Sequence, residues 1–186
     1  YTLSLHDALP ISAVSAASWY EFLPFKSCAC KNNSPEIIAL LAKKGCKINV
    51  RDNLGSTPLH VAVRWGNTDD AEQLINLGCN IDAQNVTGKT PLAEAVLGGK
   101  TEIAKMLLSK GANPNISDIN GRTILMDAVK AKTTRTIAML LENNANPQAQ
   151  DLNGRNSYHE AALTADEKVI GLIRNAGGNP LSRDKN

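Results

Sequence analysis

Asp52-Asn53-Leu54-Gly55-Ser56-Thr57-Pro58-Leu59-His60-Val61-Ala62 opens a stretch, Asp52 to Gln84, whose pattern returns 33 residues later and again after that. Gly55, Gly88, Gly121 and Gly154 stand 33 residues apart. Ala62, Ala95, Ala128 and Ala161 keep the same interval, and Ala29 extends the alanine series towards the N-terminus. A fixed period of this size marks a stacked-repeat architecture, in which each unit buries its apolar face on its neighbours instead of in one central core.

Each recurring residue has a physical reason for its place. Thr57 and Thr90 precede Pro58 and Pro91, so a hydroxyl is positioned to cap orphan amides while proline, with no N–H of its own, takes the first helical position. Gly45, Gly78, Gly111 and Gly177 fall where a second helix must end in a left-handed turn, and Asn144 stands in for glycine in the remaining unit. The spaced alanines let two short antiparallel helices approach closely. Leu41, Leu74, Leu107, Leu140 and Ile173 fill the groove between them.

Thr57-Pro58-Leu59-His60-Val61-Ala62, closed by Leu74-Ile75 and Gly78-Cys79-Asn80-Ile81-Asp82, resembles the ankyrin repeat, whose signature reads Thr-Pro-Leu-His-x-Ala. Thr90-Pro91-Leu92, Ala95, Gly99, Leu107-Leu108 and Gly111-Ala112-Asn113 resemble it as closely. The resemblance implies an all-α solenoid of about five stacked helix-turn-helix units with β-turn fingers. It also implies that His60 ties turn to helix by hydrogen bonding, a role that His159 fits less well because the preceding threonine is lost.

The register divides the chain into a degraded first unit over 13–51, units over 52–84, 85–117 and 118–150, a divergent unit over 151–183, and the start of a further one at 184–186. Unit four has Ile124 where proline is expected and Lys132 for the mid-unit glycine, and unit five places Gly171 inside a helix. Residues 1–11 are what one reading frame of a sequencing-library adapter oligonucleotide encodes, so 1–12 are expected to be a non-native leader, and both ends are expected to be cut.

The composition narrows the function classes. A formal net charge of +2 makes neither nucleic acid nor an anionic membrane the default partner. The 4% aromatic content supplies few stacking platforms for single strands, and no apolar run approaches the length needed to span a bilayer. Cys46 and Cys79 hold the same place in successive units, about 10 Å apart on a helix-packing spacing, too far for a disulfide. With Cys28 and Cys30 they are read as reduced thiols acting as small hydrophobes.

Gly98-Gly99-Lys100-Thr101 lacks the strand and the earlier glycine of a phosphate loop. A Cys28–His60 nucleophile pair has nothing to orient the histidine. No cofactor, metal or catalytic group is therefore expected, and the chain is read as a monomeric, non-enzymatic scaffold for a protein partner. The alternative is the recognition segment of a larger enzyme, effector or channel.

The resemblance implies that a partner lies in the concave face lined by the fingers and first helices. By register the contact residues are Asn53, Leu54, Ser56, Lys89, Arg122 and Arg155 on the turns, and Arg64, Trp65, Leu97 and Lys130 on the helices. Trp65 stands out, because an indole beside an arginine is a residue type that anchors interfaces. The basic stripe is expected to be largely cancelled by Glu94, Asp127 and Glu160, with Asp127 pairing Lys130 one helical turn on.

Overall fold

The computed structural model describes residues 34–179 and Asp184. The leader, Ala29, Cys28, Cys30, the front half of the first unit and most of the final start lie outside the described residues.

The described helices alternate along the period. The first unit contributes α1 (Pro35–Lys43). Unit two has α2 (Pro58–Trp65) and α3 (Thr68–Asn76), and unit three has α4 (Pro91–Leu97) and α5 (Thr101–Ser109). Unit four has α6 (Ile124–Lys130) and α7 (Thr134–Glu142), and unit five has α8 (Ser157–Thr164) and α9 (Glu167–Asn175). First helices pack on first helices, α2 on α4, α4 on α6 and α6 on α8, while α1 lies against α3, α3 against α5 and α7 against α9. Apart from an isolated bridge between Ser117 and Thr123, the described residues are helix and turn. The expected all-α ankyrin-type solenoid is what forms.

Local chemistry explains the start and end of each helix. Thr57, Thr90, Thr123 and Asn156 hold extended backbone ahead of the four first helices. Pro58 and Pro91 then supply the first helical φ without an orphan N–H. The Thr90 side chain accepts from Ala93 N, as expected of a cap. The mid-unit turn takes a left-handed residue at Gly66, Gly99, Lys132 and Ala165, so two of the four units hold a side chain where glycine is cheapest. At the end of the second helices, Asn144 at φ 63° replaces glycine as read from the sequence.

The core is a ribbon. Ala62, Ala95, Ala128 and Ala161 are buried where paired helices cross, and Leu74, Leu107, Leu140 and Ile173 are sealed between units. Each such leucine contributes about 1.5–3 kcal/mol by leaving water.

Candidate functional site

Four fingers carry the candidate face, and one side chain builds each of them. Asp52, Asn85, Asp118 and Asp151 recur every 33 residues. Asp52 Oδ1 accepts from Leu54 N and Ser56 N, both at 2.8 Å. Asn85 Oδ1 does the same for Thr87 N and Lys89 N, Asp118 Oδ1 for Asn120 N and Arg122 N, and Asp151 Oδ1 for Asn153 N and Arg155 N. These Asx turns preset the tip without help from the tip side chains.

Gly55, Gly88 and Gly121 have a second duty besides their positive φ. A Cβ on Gly88 would stand 2.6 Å from Ile119 N, and one on Gly55 or Gly121 would stand 2.9 or 3.0 Å from the corresponding amide of the next finger. That close approach lets Val86 N donate to Leu54 O, Ile119 N to Thr87 O and Leu152 N to Asn120 O. The tips are thus chained through backbone. A second chain runs along the opposite edge, where Asn80 N, Asn113 N and Asn146 N donate to the side-chain oxygens of Asn49, Asp82 and Asn115.

With the backbone held this way, each tip points one apolar side chain at solvent. Leu54, Val86, Ile119 and Leu152 are 58–64% exposed. Trp65, Leu97 and Leu163, at the ends of α2, α4 and α8, are also exposed. Val86, Ile119, Leu152 and Leu163 held turn or helix positions in the register but were not singled out as contacts. The tip register shared by Val86, Ile119 and Leu152, and the apolar character of all four, were the available signal.

The ten expected contact residues divide into distinct groups. Asn53, Leu54, Trp65, Leu97 and Lys130 are exposed. Ser56 is buried, and its hydroxyl accepts from Arg64. Arg64 also spans units to Glu94, at 2.9 Å. Arg122 reaches Asp127 at 3.0 Å and Glu160 at 2.9 Å, with Asp151 at 3.7 Å, and Arg155 lies 3.9 Å from Glu160. The expected Asp127–Lys130 pair is replaced by Asp127–Arg122, because the long guanidinium arm on the adjacent turn reaches the carboxylate, its Nε donating to Oδ1 at 3.1 Å. Lys89 is half-buried and, among the described residues, neither it nor Lys130 enters an ion pair.

His60 is fully buried and fully committed. Its Nδ1 accepts from Thr57 N at 3.2 Å and lies 2.9 Å from the Thr57 hydroxyl, and its Nε2 lies 3.0 Å from Lys89 O of the next finger. With an acceptor on one nitrogen and a donor on the other, the ring is neutral. Burial lowers its pKa below 6.5, and the Lys89 carbonyl offsets this only in part. At His159 the lost threonine is replaced by Asn156, which donates its N–H to Nδ1 and sets its Oδ1 2.8 Å away.

Asp70 is a buried acid. It stands at the register of Ile103, Thr136 and Val169 and is fully occluded. Neither carboxylate oxygen closes a hydrogen bond of normal geometry. Burial raises its pKa above 3.8, and Asn67 and the Ser34 backbone offset this only in part. Cys46 and Cys79 are free thiols, and burial pushes Cys79 up to about 11, which leaves it unreactive at neutral pH. No described helix is long and apolar enough to cross a membrane.

A family model described as ankyrin repeats in three copies matches residues 27–118, and a single ankyrin-repeat model matches residues 120–152. Over shorter stretches the chain is similar to SMC5-SMC6 complex localization factor protein 1. It is 48% identical over 48 residues to the Homo sapiens protein and 44% identical over 45 residues to that of Mus musculus, covering 25% and 24% of this chain. The match spans 4% of the length of these curated relatives.

Proposed function

The chain belongs to the ankyrin-repeat family, whose members generally mediate protein–protein interaction, and on that premise we propose that it is a non-enzymatic scaffold that holds a partner protein against its concave face. The carrying observation is the row of exposed apolar tips, Leu54, Val86, Ile119 and Leu152, set on a backbone already locked by Asx turns and finger-to-finger hydrogen bonds. Docking there buries apolar area while ordering almost nothing, so little of the gain is lost to conformational entropy. Trp65 supplies an amphipathic anchor beside the row.

A second reading, the recognition segment of a larger protein, draws on the small share of the matched relatives that the aligned stretch covers.

The test is affinity capture from a lysate with three forms of the chain: wild type, Trp65→Ala with Ile119→Ser, and Lys105→Ala with Arg135→Ala on the second-helix layer. A protein retained by the wild type and by the Lys105/Arg135 variant, but lost from the Trp65/Ile119 variant, is the expected result. A captured set that ignores the Trp65/Ile119 change, or depends only on Lys105 and Arg135, removes the concave-face reading.

A further inference from the structure

The junction of units two and three holds two lysines with no acid left to pair them. A shallow cleft of about 370 Å³ opens there, and Arg64, Lys89 and Lys100 line it against one carboxylate, Glu94. In unit four the residue at the register of Lys89 is Arg122, and it takes the acid of its own unit, Asp127. In unit three that acid is already engaged, because Glu94 accepts from Arg64 of unit two and from Asn85 Nδ2. Lys89 is left without an anion among the described residues.

Lys100 adds to this. Its side chain reaches back across the junction to lie over Gly66, where a Cβ would meet Nζ at 3.3 Å. The ammonium therefore sits beside the C-terminal end of α2, whose partial negative charge favours it there. It makes no ion pair with a described residue. A single solvated lysine would be ordinary. Here two share a cleft walled by Val63 and Leu97, and two exposed residues adjoin its lining along the chain, Trp65 after Arg64 and Val86 between Asn85 and Thr87.

We propose that this cleft receives an aspartate or glutamate side chain from an extended partner segment whose neighbouring apolar residues lie on Trp65, Leu97 and the fingertip row. The charge balance selects the occupant: the cleft's one acid is neutralised by Arg64, and the uncompensated charge is two ammonium groups. The inference rests on the concave-face reading and specifies the chemistry of what binds there.

The probes are three pools of fluorescein-labelled nine-residue peptides in which Leu, Ile, Val or Phe alternates with Asp or Glu, with Ser or Gln, or with Lys. Binding to the full chain is read by anisotropy at low and at physiological salt. The acidic pool is expected to bind best, to weaken with salt, and to lose about three- to tenfold in affinity in Lys89→Gln with Lys100→Gln. The neutral pool should be unmoved by that double change, and far-ultraviolet circular dichroism checks that both proteins fold alike.

Equal binding of neutral and acidic pools, indifference of the acidic pool to the lysine changes, or no binding of any pool overturns the proposal. Trp65→Ala separates the two levels. If it weakens the pools while the lysine variant does not, the concave face stands and the carboxylate site falls. If neither variant matters, both fall.

Discussion

Gly88→Ala isolates the contact that chains one finger to the next. The alanine would sit at φ +78°, a left-handed conformation that costs a non-glycine residue about 1–2 kcal/mol. Its Cβ would also stand 2.6 Å from Ile119 N and 2.8 Å from Asp118 Cα, backbone atoms that cannot rotate aside. The next finger must move, breaking the 3.3 Å bond from Ile119 N to Thr87 O, worth about 0.5–1.5 kcal/mol. The expected loss is about 2–3 kcal/mol in all.

Gly111→Ala is the control within the same unit. Its φ is +93°, yet nothing lies within 4 Å of the added Cβ, so backbone strain alone acts. Urea unfolding followed by circular dichroism compares the two. With a slope of about 1–3 kcal/mol per molar, the Gly88 variant should unfold roughly 0.3–1 M earlier than the Gly111 variant. Coincident midpoints would refute the reasoning, because they would show that the finger-to-finger approach contributes nothing beyond the left-handed turn.

Other substitutions test separate features. Gly171→Ala inside α9 meets nothing within 4 Å and should add about 1 kcal/mol, read as a later urea midpoint. Lys132→Gly relieves a left-handed lysine at φ 55° and should gain about 0.5–1 kcal/mol net of the glycine's greater unfolded-state freedom, whereas a loss would show that the lysine is not strained. His60 has a folded pKa below 6.5, so its stabilisation is complete above that value and drains away as pH falls from 6.5 through the lowered pKa. The difference in urea midpoint between wild type and His60→Gln should therefore narrow from pH 7.5 to 5, and a constant difference would exclude this linkage. Asp70→Val should stabilise at pH 7 by replacing a buried carboxylate with the residue type that Val169 supplies. Because the carboxyl's pKa is raised, the advantage should shrink as acid protonates it in the wild type, and a thermal melt series from pH 7 to 4 checks this.

The fold was legible because a solenoid prints its packing rule once per unit. The alanines at 62, 95, 128 and 161 and the turn residues at 45, 78, 111, 144 and 177 recur for steric reasons that depend on each position alone. Asp52, Asn85, Asp118 and Asp151 were as regular, and an Asx residue three before each turn glycine could have been read as the finger's organiser. Ala165, at the register of Gly66, could likewise have been recognised as left-handed.

The ion pairs were not legible in the same way. Arg122 binds Glu160 at a separation of 38 residues and Arg64 binds Glu94 at 30, offsets set by where a flexible side chain lands on the next unit. Helix spacing suggested Lys130 for Asp127, but the adjacent turn brought an arginine closer. For the same reason the stripe read as cancelled is cancelled at its arginines and not at Lys89 or Lys130.

The fingers separate the residues that make the shape from those proposed to meet a partner. Asx carboxylates or amides, turn glycines and main-chain bonds fix the loop, and none of these bonds runs through the side chains of Leu54, Val86, Ile119 and Leu152. On the proposed function, drift or a randomised library at those four codons would rewrite what the surface recognises while the scaffold keeps its melting behaviour, so specificity would evolve separately from foldability.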